Sequence, residues 1–282
     1  MWLIFLAALC DATAGPLTRM IGATTLVAIV FWRQVFAAAF VAAMILKRQG
    51  WRGLLEFPRG NRSVAAAGFA AASGLFFWSL AVTSVALTFV LGLFGKPVFL
   101  VVLGGLILGE TPSWKALCAL AFGFIGVLVM VKTAAVGVTA TGLLLVAGSA
   151  LAYSVAMIAS HRAGVDNAEQ GGRLQTLMWQ HLVLGVCVTP CAIGSVASIG
   201  FGRDLGIAVA LGVVQQVGQY YFLIRGMERQ VTTARAAVIL LAAAPLAIFM
   251  AWPWERPTLL EALGAAMVLT SIAMDVESEN RS

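Results

Sequence analysis

The sequence predicts an all-α integral membrane protein, with ten transmembrane helices arranged as two inverted five-helix repeats. Three observations carry this reading. The apolar runs are long and continuous, the basic residues sit in alternate connections, and a set of motifs recurs at a nearly constant offset. Of the 282 residues, 61% are hydrophobic and 11% charged, whereas soluble domains carry about 25% charged residues. A β-barrel is excluded because the runs do not alternate and exceed the length of barrel strands. The formal charge of +6 does not indicate nucleic acid, since the basic residues lie in short connections and form no patch.

The elements follow from apolar runs of about 20 residues between breakers. The first covers 2–20. Its start, Met1–Leu9, is apolar, and Ala12-Thr13-Ala14 resembles a signal-peptidase site. No Lys or Arg precedes the run, so it reads as a membrane helix and not as a secretory leader. The second covers 24–46 and ends at Lys47-Arg48. The connection 47–62 is the most basic and is expected along the inner headgroups. A third run covers 63–82. The fourth, 85–108, holds Gly95-Lys96-Pro97 near its middle. A lysine at mid-bilayer costs about 2.5–3.5 kcal/mol on insertion scales, and the proline removes a helical hydrogen bond. Such a charge must face a partner or a wet cavity. Runs at 114–132 and 139–160 follow, and the loop 165–172 joins the halves. The last four runs are 174–195, 204–223, 232–252 and 258–275. The domain boundaries are therefore 1–135 and 136–282.

Loop charges give the orientation. With a cytoplasmic N-terminus, the inner side holds Lys47, Arg48, Arg52, Arg59, Arg62, Lys115, Arg162, Arg173, Arg225, Arg229, Arg235 and Arg281. The outer side holds Arg19, Lys132, Arg203 and Arg256. Twelve against four is a positive-inside bias, and both termini are expected in the cytoplasm.

The second half echoes the first. Phe31-Trp32-Arg33-Gln34 matches Met178-Trp179-Gln180-His181 at offset 147, and Gly68 and Gly74 match Gly212 and Gly218 at offset 144. Gly-Glu-Thr-Pro at 109–112 matches Trp-Glu-Arg-Pro at 254–257 at offset 145, and Pro97 pairs with Pro245. Five helices per copy is an odd number, so the second copy enters the membrane inverted, as in many secondary transporters. On Lys96-Pro97, Gly109-Glu110, Gly123 and Gly126, and on Pro245, Glu255 and Gly264, the chain resembles the drug/metabolite transporter superfamily, specifically its EamA-type members. That resemblance implies a ten-helix transporter of small metabolites, more often an exporter, in the cell (plasma or inner) membrane. One departure is visible: Pro97 to Glu110 spans 13 positions, whereas Pro245 to Glu255 spans 10. The ninth helix is expected to end differently, interrupted by Pro253.

Polar residues inside the membrane are the candidates for a binding site. Asp11 and Lys96 share a depth and form either a structural ion pair or a pair that meets substrate or a coupling proton. Arg33 suits a bidentate carboxylate or phosphate, or snorkels as a gate residue. His181 either assists proton coupling or is hydrogen-bonded within the fold, and Trp179 lies beside it. Tyr153, Gln215, Gln219 and Tyr220 line the cavity or bond to neighbouring helices. Trp78 packs, or offers a stacking face. Gly92, Gly95, Gly104, Gly105, Gly123 and Gly126 permit close helix approach. Glu110 and Glu255 are read as caps of the helices that follow them. With two cations against one carboxylate, the site favours amino acids or organic anions.

The cysteines Cys10, Cys118, Cys187 and Cys191 fall inside apolar runs, and no metal set, cofactor motif or catalytic set is expected. The partners expected are a small-molecule substrate, the lipid bilayer and a coupling proton, without nucleic acid, in a monomer or homodimer. A non-transporting membrane sensor and an integral-membrane enzyme are the alternatives, the enzyme being the weaker.

Overall fold

The computed structural model describes residues 1–14, 17, 20, 26–82, 85–131, 139–165, 172–195, 202–229, 231–251 and 258–279. Among these, every regular element is helical. The elements are α1 (Trp2–Ala12), α2 (Leu26–Leu55), α3 (Asn61–Val82), α4 (Val85–Leu103), a π-helical turn (Gly104–Leu108), α5 (Trp114–Val131), α6 (Ala140–Val165) and α7 (Gly172–Ala192). They continue as α8 (Arg203–Ala210), a second π-helical segment (Leu211–Gly218), α9 (Gln219–Glu228), α10 (Thr233–Leu240), α11 (Ala243–Ala251) and α12 (Leu259–Glu279). Among the described residues, four stretches are long and apolar enough to cross a membrane: Val27–Leu55, Ala140–Gly164, Arg203–Glu228 and Thr233–Met250. Shorter apolar helices include Trp2–Ala12, Gly95–Leu108, Trp114–Val129 and Leu259–Met274.

Two features differ from the sequence expectation. The second helix does not stop at 46: it runs to Leu55, broken only at Gly50 (φ 69, ψ −168). Lys, Arg and Gln are good helix formers, so polarity alone does not end a helix. Two π-helical segments interrupt helices that the apolar pattern draws as regular. Hydropathy is blind to such widening, which recurs at functional sites. Pro253 and Glu255 lie outside the described residues.

Packing turns the usual distribution of polarity inside out. Trp2, Trp51, Leu55, Leu106, Trp114, Leu144 and Leu259 are exposed, while Arg33, Gln34, Gln175, Gln180, His181, Gln215, Gln216 and Gln219 are buried. In water an apolar exterior of this kind is a liability; in lipid it is the ordinary outer face. The main interior contacts join α3 to α6, α2 to α7, α4 to α6 and α10, α5 to α12, and α1 to α9.

At the end of α4, local sequence builds a joint between the two halves of the chain. Gly109 takes the left-handed conformation (φ 69) that ends the π turn, and the Glu110 amide donates back to the Gly104 carbonyl at 3.3 Å. The Glu110 carboxylate then accepts from the Thr233 amide (2.8 Å) and hydroxyl (2.6 Å), with His161 Nε2 at 3.9 Å. Glu110 therefore caps α10, 123 residues away, and not α5, the helix that follows it. The hydroxyl of Ser113 caps α5 by accepting from the Ala116 amide at 3.1 Å. Likewise α12 begins with a capping box of Thr258 and Glu261. Glu110→Ala is expected to destabilise the protein by about 1–2 kcal/mol, the range for loss of an N-cap, measured as thermal unfolding in detergent. A loss equal to that of Ser113→Ala would be consistent with two ordinary caps; no loss would contradict the joint.

Candidate polar cavity

The polar interior is assembled by α1, α2, α3, α4, α6, α7 and the π-helical segment leading into α9. Arg33 on α2 is 5% exposed. Its Nη1 donates to Gln215 Oε1 at 3.2 Å, and its guanidinium carbon lies 4.3 Å from the Phe77 ring centroid. Gln215 Nε2 donates to Asp11 Oδ1 (3.3 Å) and to Gln219 Oε1 (3.0 Å), and Gln216 Nε2 donates to Gln215 Oε1 (3.0 Å). One carboxamide thus bridges the Arg33 cation and the Asp11 carboxylate. The π-helical widening at Leu211–Gly218 carries both Gln215 and Gln216 into this network, which a regular helix spaced at 100° per residue does not favour for adjacent positions.

Lys96 and Asp11 are not brought together; no ion pair among the described residues joins them. The Lys96 ammonium instead lies 4.7 Å from the Tyr153 ring centroid and 5.8 Å from that of Phe76. This is cation–π geometry, favourable where water is excluded. Its backbone is held as well. The Lys96 carbonyl accepts from the Ser154 hydroxyl at 3.0 Å. Gly95 lets α4 approach α6, since a Cβ there would meet that of Ala150 at 2.8 Å. Tyr153 packs edge-on against Phe69 (5.6 Å), which in turn meets Tyr220 (4.7 Å). The Tyr220 hydroxyl pairs with that of Ser73 at 3.0 Å. Lys96, Tyr153, Phe69 and Tyr220 form one aromatic wall, and Asp11, Gln215, Gln219 and Arg33 form a polar one.

His181 pairs through Nδ1 with Gln34 Oε1 at 2.8 Å. Two other candidates stand apart. Trp78 is 66% exposed, so α3 turns it outward and away from the polar interior. Trp179 donates its indole N–H to the Glu56 carbonyl (3.0 Å) and packs edge-on to Phe57 (4.9 Å), at the outer seam of α2 and α7 and away from the interior. Among the glycines, Gly104, Gly123 and Gly126 mark close helix approaches, whereas Gly105 meets only ordinary contact distance at 3.4 Å.

Sequence reasoning missed Gln34, Gln180 and Ser73. Gln180 is fully buried, and neither of its amide atoms has a hydrogen-bond partner among the described residues. The same holds for Arg33 Nε and Nη2, Gln34 Nε2, His181 Nε2 and Gln216 Oε1. The signal was present, because Gln34 and Gln180 stand in the recurring motif at 31–34 and 178–181. A buried polar atom without a partner costs about 1–3 kcal/mol. Several of them share this interior, which makes it the candidate site for a polar ligand. The donors outnumber the acceptors, and Arg33 offers two free N–H directions suited to an oxyanion.

Residues 1–132 match the EamA-like transporter family. No curated protein matches the chain. A crystal structure described only as that of a protein superposes with a TM-score of 0.82 at 20% identity, covering 99% of this chain and 97% of the other. At that identity the likeness establishes a shared fold.

Proposed function

We propose, from the EamA-like transporter domain that residues 1–132 form, that this multi-pass membrane protein of the drug/metabolite transporter type is a secondary active exporter of small carboxylate-bearing metabolites. Amino acids and organic acids are the substrates favoured, moved by alternating access across the cell membrane with both termini cytoplasmic. The observation that carries this reading is the buried Arg33, which keeps Nε and Nη2 uncommitted beside the bridged Asp11 carboxylate. A carboxylate docked on that fork would share the interior with the Lys96 ammonium, which lies over the Tyr153 ring. No step needs a nucleophile or cofactor, which favours transport over catalysis.

Alternating access needs two related halves, and one hydrogen bond supports that relation. Gln34–His181 joins residues 147 apart, the offset at which the motif at 31–34 recurs. Two equivalent residues that touch each other lie on the twofold axis relating their copies. The helix contacts follow the same rule: α3 on α6 answers α1 on α9, while α2 on α7, α4 on α10 and α5 on α12 each pair an element with its own equivalent. Such an arrangement suits ten spans in two inverted repeats that rock about a central site. Rocking would part contacts far from the axis, Glu110–Thr233 first, and retain those on it.

A thermal-shift screen against a metabolite panel tests the site. A ligand at 100 times its Kd stabilises by about 2.7 kcal/mol, so a carboxylate-bearing compound is expected to raise the melting temperature. Arg33→Ala is expected to abolish that shift. A panel in which no carboxylate stabilises the protein, or one in which Arg33→Ala responds like the parent, contradicts the proposed site.

A further inference from the structure

We propose that the groove between α2 and α7 binds an anionic phospholipid, one acyl chain lying in the groove and the phosphate held by the basic turn around Arg48 and Arg52. The groove has a volume of about 520 Å³ and is walled by Ala38, Ala39 and Ala42 on one side and by Trp179 and Leu182 on the other. No charged side chain lines it, so it accepts hydrocarbon and not a headgroup. Three alanines within about one turn make a recess in a face otherwise studded with large apolar side chains such as Val35, Phe40 and Val186. Trp179 is fixed as a wall by its indole hydrogen bond to the Glu56 carbonyl and its contact with Phe57.

Leu54 and Leu55 also line the groove. Along a straight helix Leu55 would lie about 24 Å from Ala39 at 1.5 Å per residue. Gly50, in a backbone conformation only glycine adopts readily, breaks that line. The segment after it carries Trp51 (75% exposed) and Leu55 (83% exposed) next to Arg52, the composition of a headgroup-level anchor. Lys47, Arg48 and Arg52 are exposed and make no ion pair among the described residues. Exposed cations without an ion pair among the described residues, on the segment that leads into the lining residues Leu54 and Leu55, match a lipid with an acidic headgroup and an apolar tail. The proposal rests on the reading of these helices as membrane spans and not on transport.

Native mass spectrometry of the purified full chain tests it, with phosphatidylglycerol and phosphatidylcholine of matched acyl chains as probes. One phosphatidylglycerol per chain is expected, held at least tenfold more tightly than phosphatidylcholine. Arg48→Gln with Arg52→Gln should remove that preference. Ala39→Phe, which fills the recess, should weaken phosphatidylglycerol at least tenfold, and Leu144→Phe on the exposed face of α6 should change it less than twofold. Equal binding of the two lipids, an unchanged preference in the double arginine variant, or a dimer of chains that Ala39→Phe dissociates would each overturn the proposal. If Ala39→Phe fails to fold, the exposed arginine pair decides alone. Because no flux is measured, failure here leaves the transporter reading standing.

Discussion

Arg33→Ala is expected to lower substrate flux about 100-fold, the scale of one or two lost charge-assisted hydrogen bonds at 1.5–3 kcal/mol each. The substitution removes the only cation hydrogen-bonded to Gln215 among the described residues and leaves Asp11 bridged to an amide that has lost its counter-charge. Arg33→Lys separates two roles. It keeps a charge over Phe77 but loses the planar fork. If the fork grips a carboxylate, Arg33→Lys should raise KM at least tenfold while the maximal rate falls much less. If Arg33 serves only to neutralise Asp11, the lysine variant should transport like the parent, and the proposed grip would be wrong.

Gly126→Val is expected to produce the largest loss of stability. A Cβ at Gly126 would stand 2.7 Å from the Gly264 carbonyl oxygen, 2.9 Å from Met267 Cβ and 3.1 Å from Val268 Cγ2. The first obstacle is backbone, so the side chain cannot be accommodated by a rotamer change. α5 and α12 would have to separate along their whole contact, which includes Gly123 against Ser271. Overpacking costs about 1–3 kcal/mol where the neighbours can yield, and here they cannot, so the upper end is expected. In detergent this should appear as a drop of several degrees in melting temperature. Gly206→Ala supplies the contrast: nothing lies within 4 Å of its added carbon, and an alanine in a helix is favoured over glycine by about 1 kcal/mol. Its melting temperature should not fall.

Much of the fold was legible because lipid imposes length and continuity on its helices, as at α6 and α7. Lys96 was legible for the same reason, as a charge too costly to keep without a purpose; it does not recur in the second half, where Ala244 precedes Pro245. Its partner was not. Depth along a helix places Asp11 and Lys96 at one level but does not fix which way each side chain points, and the two turn to different walls. Glu110 was recognisable as a cap, but sequence proximity pointed to the wrong helix, since Gly109 turns the carboxylate toward α10. Gln34 and Gln180 were visible only as a repeated motif. Their burial without hydrogen-bond partners is a property of three-dimensional packing, which periodicity cannot express where lipid and core are equally apolar.

The central claim, an interior site that carries substrate across the membrane without a chemical step, is tested most directly by flux into proteoliposomes containing the purified chain. The expected result is accumulation of at least one carboxylate-bearing metabolite above protein-free liposomes, reduced at least tenfold by either Lys96→Ala or Arg33→Ala with both variants folded. Undiminished flux in both variants would contradict the site, and no flux for any member of a broad metabolite panel would contradict the transporter itself.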